Sequence, residues 1–217
     1  MRIVFLGPPG IGKGTQASLL ATRRGLTHIS TGVIVRAAIE AGTALGSTAR
    51  EYVQSGRLVP DEIMRELAET AIAEAHYDHI VLDGYPRTIV QAEWLTEFLH
   101  MHEVPLDTVI SLVVPADVIV NRLSKRRVHK LTGENYHLDF KPPPADVDSD
   151  LIIQRKDDRP DYIRKRLDIY TSETQPVAAY YRQKDLLVEV DGVGAIEEVY
   201  ARIEDVLPLV PLEKKST

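Results

Sequence analysis

Cysteine is missing from all 217 residues, which excludes a disulfide framework, thiolate zinc sites and a cysteine nucleophile. Basic charge is also short. The formal net charge is −6, which argues against nonspecific nucleic-acid binding and leaves any polyphosphate ligand to be held by local arginines. No apolar run approaches membrane-spanning length, and the chain enters an apolar strand at once. Neither a membrane segment nor a signal or transit peptide is therefore expected, and the setting reads as cytosolic. Internal repeats and low-complexity tracts are lacking too. A chain of this length holds one core of ordinary size, with room for an inserted lobe but hardly for two full domains.

What is present starts with the first fifteen residues. Ile3, Val4, Phe5 and Leu6 form an unbroken apolar run, as in a strand buried on both faces of a parallel sheet. Gly7, Gly10 and Gly12 then allow the backbone to turn its N–H groups inward toward an anion. The helix that follows points its positive dipole end at the same place. Lys13 stands where a P-loop lysine reaches terminal phosphate oxygens, and Thr15 offers a hydroxyl to a bound magnesium ion. Gly14 departs from the general pattern by pushing the hydroxyl residue one place later.

Beyond a short link, residues up to Ala75 read as three helices. Ser30 or Thr31 serves there as an N-cap or as a ligand. Gly42, Gly46 and Ser47 are expected to separate the first helix from the second, and Ser55-Gly56 to end the second. Val59-Pro60-Asp61-Glu62 opens the third, whose apolar stripe is Ile63, Leu67, Ala71 and Ala75. A second buried strand, Ile80 to Leu82, ends in Asp83 and leads to Gly84-Tyr85-Pro86-Arg87-Thr88. Ligands of open α/β sheets collect at the carboxyl ends of strands, so Asp83 and Arg87 either serve a phosphate and its magnesium or form a surface ion pair. Val90, Trp94 and Phe98 stripe the next helix as core, with Leu95 and Leu99 beside them. After a strand at Val109 to Val114, a helix is expected to carry Arg122, Arg126 and Arg127. Arg122 and Arg126 would share a face, as an anion site or simply as solvated charge.

At these motifs the chain resembles adenylate kinases along essentially its whole length. The matching pieces are Gly7 to Thr15, Ser30-Thr31-Gly32 with Arg36, Gly56-Arg57-Leu58-Val59, Asp83 to Thr88, and the arginine segments. The form Gly-Lys-Gly-Thr is itself that of nucleoside monophosphate kinases. The resemblance implies an α/β P-loop fold with a central five-stranded parallel sheet flanked by helices, an inserted AMP-binding helical lobe and a lid lobe. It implies one kinase domain over 1–217, with core 1–29, 60–121 and 160–217, AMP lobe 30–59 and lid 122–159. It also implies reversible phosphoryl transfer from MgATP to AMP, giving two ADP.

Carried over by motif, Gly10, Ile11, Gly12, Lys13, Gly14, Thr15, Arg122, Arg126 and Gly194 bind ATP. Thr31, Arg36, Arg57, Val59, Gly84, Arg87, Gln91, Arg155 and Arg166 line the AMP site, Gln91 reading the adenine edge. Lys13, Arg122, Arg155 and Arg166 act on the transferring group. Asp83 holds magnesium through water, with Thr15 as a further candidate. Phosphoryl transfer needs alignment and charge stabilisation more than covalent help, so no nucleophile or general base is sought. Asp157 and Asp158 are expected to pair with lid arginines.

The lid, Val128 to Asp158, is of the long bacterial type. His129, Thr132, Asp146 and Ser149 stand where some relatives hold zinc with cysteines, so hydrogen bonds rather than structural zinc are expected there. A long helix follows, with Ile163, Leu167, Tyr170, Val177 and Tyr181 as its apolar face and a kink at Pro176. The last strand, Leu186 to Val190, runs into a turn at Asp191 to Gly194 that the adenine of ATP can approach. Residues 213–217 are expected to fray. Val33 stands where the family usually has an acid near the magnesium waters. A monomer without nucleic-acid or membrane partners is expected. The alternative enzymes are a GTP-dependent AMP kinase and a uridylate–cytidylate kinase, the second disfavoured by the long lid and Arg87-Thr88. A non-catalytic adenylate sensor is the alternative of another class, opposed by the arginines that converge on the transfer point.

Overall fold

The computed structural model describes residues 1–208, so the ending at 213–217 lies outside the described residues. Strand β1 (Arg2–Leu6) leads through the glycine loop into α1 (Lys13–Arg24), and β2 (Thr27–Ser30) follows. Three helices come next, α2 (Thr31–Glu40), α3 (Ala44–Ser55) and α4 (Asp61–Glu74). Then β3 (Ile80–Asp83), α5 (Ile89–Met101), β4 (Thr108–Val113) and α6 (Ala116–Lys125) follow.

A small antiparallel sheet, β5 (Arg126–His129), β6 (Asn135–His137) and β7 (Ile152–Ile153), with β5 in the middle, lies in the segment expected to form the lid. The chain returns through α7 (Pro160–Ile169), α8 (Gln175–Arg182), β8 (Leu187–Asp191) and α9 (Ile196–Val206). The main sheet has five strands in the order β2-β3-β1-β4-β8, all parallel. The apolar run of β1 explains its central place. Val4 and Leu6 pack into one buried cluster with Ile80, Leu82 and Leu95, whereas Ile3 and Phe5 pack into a second with Leu20, Ile110 and Ile203. Alternate side chains thus enter opposite faces, and helices must cover both.

Four local expectations are corrected. Gly42 does end α2, but Gly46 and Ser47 lie inside α3. The Thr43 side chain caps that helix by accepting from the Gly46 N–H at 3.0 Å, so α3 starts before the glycine. Gly46 is there for space, since a Cβ would collide with the Ala38 carbonyl of α2. On α4 the buried row is Met64, Ala68 and Ile72, with Ile63, Leu67, Ala71 and Ala75 half-buried at its flank. On α5 Val90 is exposed, and Ala92, Leu95, Phe98 and Leu99 are buried. The fourth concerns the lid arginines: α6 stops at Lys125 and Arg126 is already in β5, so Arg122 and Arg126 do not share a helix face. At Pro176 the long helix is broken by a π-helical stretch, Tyr170–Thr174, with the Gln175 N–H bonded to Tyr170 O. This absorbs the donor that proline lacks.

Candidate active site

The carboxyl ends of β1, β2, β3 and β4 all open on one side of the sheet, and a single cleft of about 1110 Å³ lies above them. That volume exceeds what one small ligand occupies. The glycine loop and α1 give its floor, α2 and α3 one wall, and the lid sheet with α7 the other. Gly10, Ile11, Gly12, Gly14 and Thr15 line the floor, and Lys13 Nζ donates to Gly7 O at 2.6 Å and Pro8 O at 2.9 Å. Gly14 has a reason beyond the loop's turn: a Cβ there would stand 3.2 Å from Asp83 Oδ2, so glycine admits the carboxylate beside the loop.

Along the wall near β3, Thr31, Arg36, Val59, Gly84, Arg87 and Gln91 face the same space. Thr31 is fully buried and its Oγ1 has no hydrogen-bond partner among the described residues. Arg87 Nε donates to Gly84 O at 2.8 Å. The Gln91 amide accepts from the Arg87 N–H at 2.7 Å and donates to Asp61 Oδ1 at 2.7 Å, leaving one proton and one lone pair for a ligand. Arg57 also lines the cleft, but its guanidinium bonds Glu51 at 2.7 Å and Ser55 at 2.9 Å on α3.

Opposite, Arg122 Nη1 donates to Ile11 O at 3.1 Å and Gly192 O at 3.0 Å, tying the glycine loop to the turn after β8 that carries Gly194. Arg126 grips the fully buried Asp158 through two bonds of 2.7 and 2.5 Å. Arg155 is forked on Asp157 at 2.9 and 2.6 Å, and Arg166 reaches Asp157 at 3.0 Å and Asp158 at 3.5 Å. The two aspartates thus pair with the arginines as expected. All the residues singled out from the sequence for nucleotide or metal therefore line this one cleft.

Its electrostatics are those of an anion site. Burial, reinforced by neighbouring arginines, presses Arg36 and Arg166 down to about 10, so both stay charged near neutrality. Burial is also the main cause that lowers Lys13 to about 8, with Asp83 opposing it. Concentrated positive charge of this kind is relieved by a polyphosphate.

Some residues escaped sequence reasoning. Tyr136, His137, Phe140 and Lys141 reach the cleft from the lid. Phe140 is 56% exposed with the Arg122 guanidinium 6.0 Å from its ring centre, so a cation and an aromatic face stand together at the cleft. The available signal was Tyr136 and Phe140, four residues apart in an otherwise mostly polar and charged stretch. His28 on β2 also lines the cleft, with a buried, unpartnered Nε2 that lies 3.9 Å from Asp83 Oδ2. In the lid, His129 Nδ1 accepts from the Leu131 and Thr132 N–H groups at 3.3 and 3.1 Å, and Thr132 accepts from Glu134.

A glycine-loop cradle on a parallel sheet, roofed by arginines from a separate lobe, defines a P-loop phosphotransferase with room for two nucleotides. A family model described as adenylate kinase matches residues 5–186. An adenylate kinase of Salinibacter ruber is 60% identical over 95% of this chain and 98% of its own length. Those of Chloroherpeton thalassium and Clostridium botulinum are 44% and 42% identical, covering 95% and 97% of this chain and 98% and 99% of their own. The chain belongs to the adenylate kinase family.

Proposed function

We propose that the cleft carries out reversible transfer of the γ-phosphoryl group of ATP to AMP, giving two ADP, with the glycine loop and Lys13 holding the donor phosphates. The observation that carries this reading is the convergence of Lys13, Arg36, Arg87, Arg126, Arg155 and Arg166 on one cleft whose floor is a phosphate cradle. Arg36 and Arg87, with Arg57 once it leaves Glu51, clamp the AMP phosphate, and Gln91 and Val59 meet its base. Arg122, Arg155 and Arg166 stabilise the charge that spreads over the transferring group, which is the main demand of this reaction. Arg122, with Phe140 beside it, and the turn after β8 that carries Gly194 flank the seat of the donor's base.

The donor set beside the glycine loop fits magnesium: the Asp83 carboxylate, which Gly14 admits next to the loop, and the Thr15 hydroxyl are hard oxygen ligands lining the same cleft. Asp83 would hold the ion through water, with the Thr15 hydroxyl as a further candidate. When bound it neutralises charge on the phosphate oxygens. The lobes 30–59 and 122–159 close over the core and exclude water, a movement for which adenylate kinase is itself a standard example. A cytoplasmic monomer without membrane or nucleic-acid partners belongs to the same reading. Among the described residues no helix is long and apolar enough to cross a membrane.

The test is a panel of nucleoside monophosphates against ATP and GTP with magnesium, following ADP or GDP. AMP with ATP is expected to give the highest kcat/KM; a different acceptor, or ATP loss without any monophosphate, overturns the reading.

A further inference from the structure

The turn after β8 is short, and its backbone can be accounted for group by group. The Gly192 N–H donates to Val113 O at 2.9 Å and Gly192 O accepts from Arg122 at 3.0 Å. The Val193 N–H donates to Asp191 Oδ1 at 2.9 Å. Arg202 Nη1 donates to Asp191 O at 3.0 Å and to Val193 O at 2.6 Å. The Ala195 N–H donates to Glu198 Oε2 at 2.9 Å, and Ala195 O accepts from Val199 at 3.1 Å. Gly194 remains: among the described residues neither its N–H nor its C=O has a hydrogen-bond partner, and it lines the cleft. A backbone donor and acceptor left together like this call for a partner.

The neighbours of Gly194 decide how those two groups point. A peptide unit is planar and trans, so fixing its C=O fixes the N–H on the other side. Val193 C=O shares a peptide with Gly194 N–H, and Arg202 holds it. Gly194 C=O shares a peptide with Ala195 N–H, and Glu198 holds that. Both clamps come from one face of α9, four residues apart.

We infer that Glu198 and Arg202 are positioning residues for donor specificity: by locking the two peptides that flank Gly194, they present one acceptor and one donor to the base of the nucleoside triphosphate. This rests on the proposed seat of the donor's base between Arg122 and this turn. The edge of adenine offers an amino donor beside a ring-nitrogen acceptor, which complements Gly194. Guanine offers the reverse pair there. It would be accepted only if these peptides flipped, and a flip must break the bond to Glu198 or to Arg202. A site built to pair with one hydrogen-bonding pattern rejects the inverse one because its own groups are left unpaired.

The experiment compares kcat/KM for ATP and GTP at saturating AMP in the unaltered enzyme, Glu198→Ala, Glu198→Gln and Arg202→Met. The ATP/GTP ratio is expected to fall about tenfold in Glu198→Ala and Arg202→Met, the worth of one charge-assisted hydrogen bond. The change lies in the KM for the two triphosphates, with KM for AMP unmoved. Glu198→Gln, whose amide oxygen still accepts from Ala195, keeps the ratio. An unchanged ratio in Glu198→Ala overturns the inference, as does equal loss in Glu198→Gln, and the Glu198 pair decides the matter should Arg202→Met fail to fold. NMR of the Gly194 amide during an ATP titration of the unaltered protein separates the two layers. A shifted amide with an unchanged ratio refutes the locks alone; an unshifted amide refutes the placement of the base and the inference with it.

Discussion

The Lys13 ammonium is bonded to Gly7 O at 2.6 Å and to Pro8 O at 2.9 Å, so the loop that cradles phosphate also carries the cation that meets it. Holding it there is costly. Burial lowers its pKa from 10.5 to about 8, against the partial relief of Asp83. A lysine whose folded pKa is depressed destabilises the fold below that value, and the penalty disappears as pH rises from about 8 to 10.5. The shift bounds the penalty at about 3 kcal/mol.

Lys13→Met is accordingly expected to abolish turnover while raising the melting temperature of the nucleotide-free protein at pH 7. The gain should shrink between pH 8 and 10.5, the window of the shifted pKa. Calorimetry across that range checks it, and a variant less stable at pH 7 would contradict the account.

Asp158 is fully buried between Arg126 and Arg166, the one a forked bond at 2.7 and 2.5 Å and the other at 3.5 Å. Asp158→Ala leaves two guanidiniums facing each other without the carboxylate, a loss of about 3–5 kcal/mol for breaking a buried pair from one side. Urea unfolding measures this. Asp157→Asn, on the less buried partner, should cost clearly less, and equal losses would show that burial is not what sets the cost.

The residues singled out from the sequence meet in one cleft because they sit on local features: a glycine loop, a strand ending in Asp83 and arginines beside recognisable turns. Sequence reasoning misplaced what distant packing decides. Arg126 continues the helical pattern of α6, but strand pairing with β6 and the bond to Asp158, 32 residues on, draw it into β5. Gly46 looked like a breaker because its missing side chain is equally what a close crossing of α2 and α3 requires. On α4 the four-residue repeat found the edge of a broad apolar arc, whose centre of Met64, Ala68 and Ile72 faces the sheet. Phe140 carries no motif, and only the folded lid brings it to Arg122.

Arg87 lines the cleft wall just after β3, its Nε bonded to Gly84 O at 2.8 Å and its charge acting together with that of Asp83. Arg87→Ala is expected to raise KM for AMP by tenfold or more, roughly the worth of a charge-assisted clamp, with KM for ATP nearly constant. Initial rates with each substrate varied in turn decide it. Equal losses for both substrates would refute the assignment of this wall to AMP.

Val33 on α2 is 54% exposed and lines the same cleft as Asp83 and His28. With valine at this place no second carboxylate is available to a metal's water shell, and the proposed function leaves that task to Asp83 with the Thr15 hydroxyl. Exposure means that an acid can be placed there with little effect on packing. Val33→Asp should leave the melting temperature within about a degree, since surface changes of this kind are near neutral. It should lower the magnesium concentration for half-maximal activity about threefold or more, because a second carboxylate strengthens an outer-sphere oxygen site. Manganese binding in the presence of a non-transferable ATP analogue, followed by electron paramagnetic resonance, gives the same comparison without turnover. If neither titration moves, Asp83 already saturates the metal's need for negative charge, and the valine has no bearing on it.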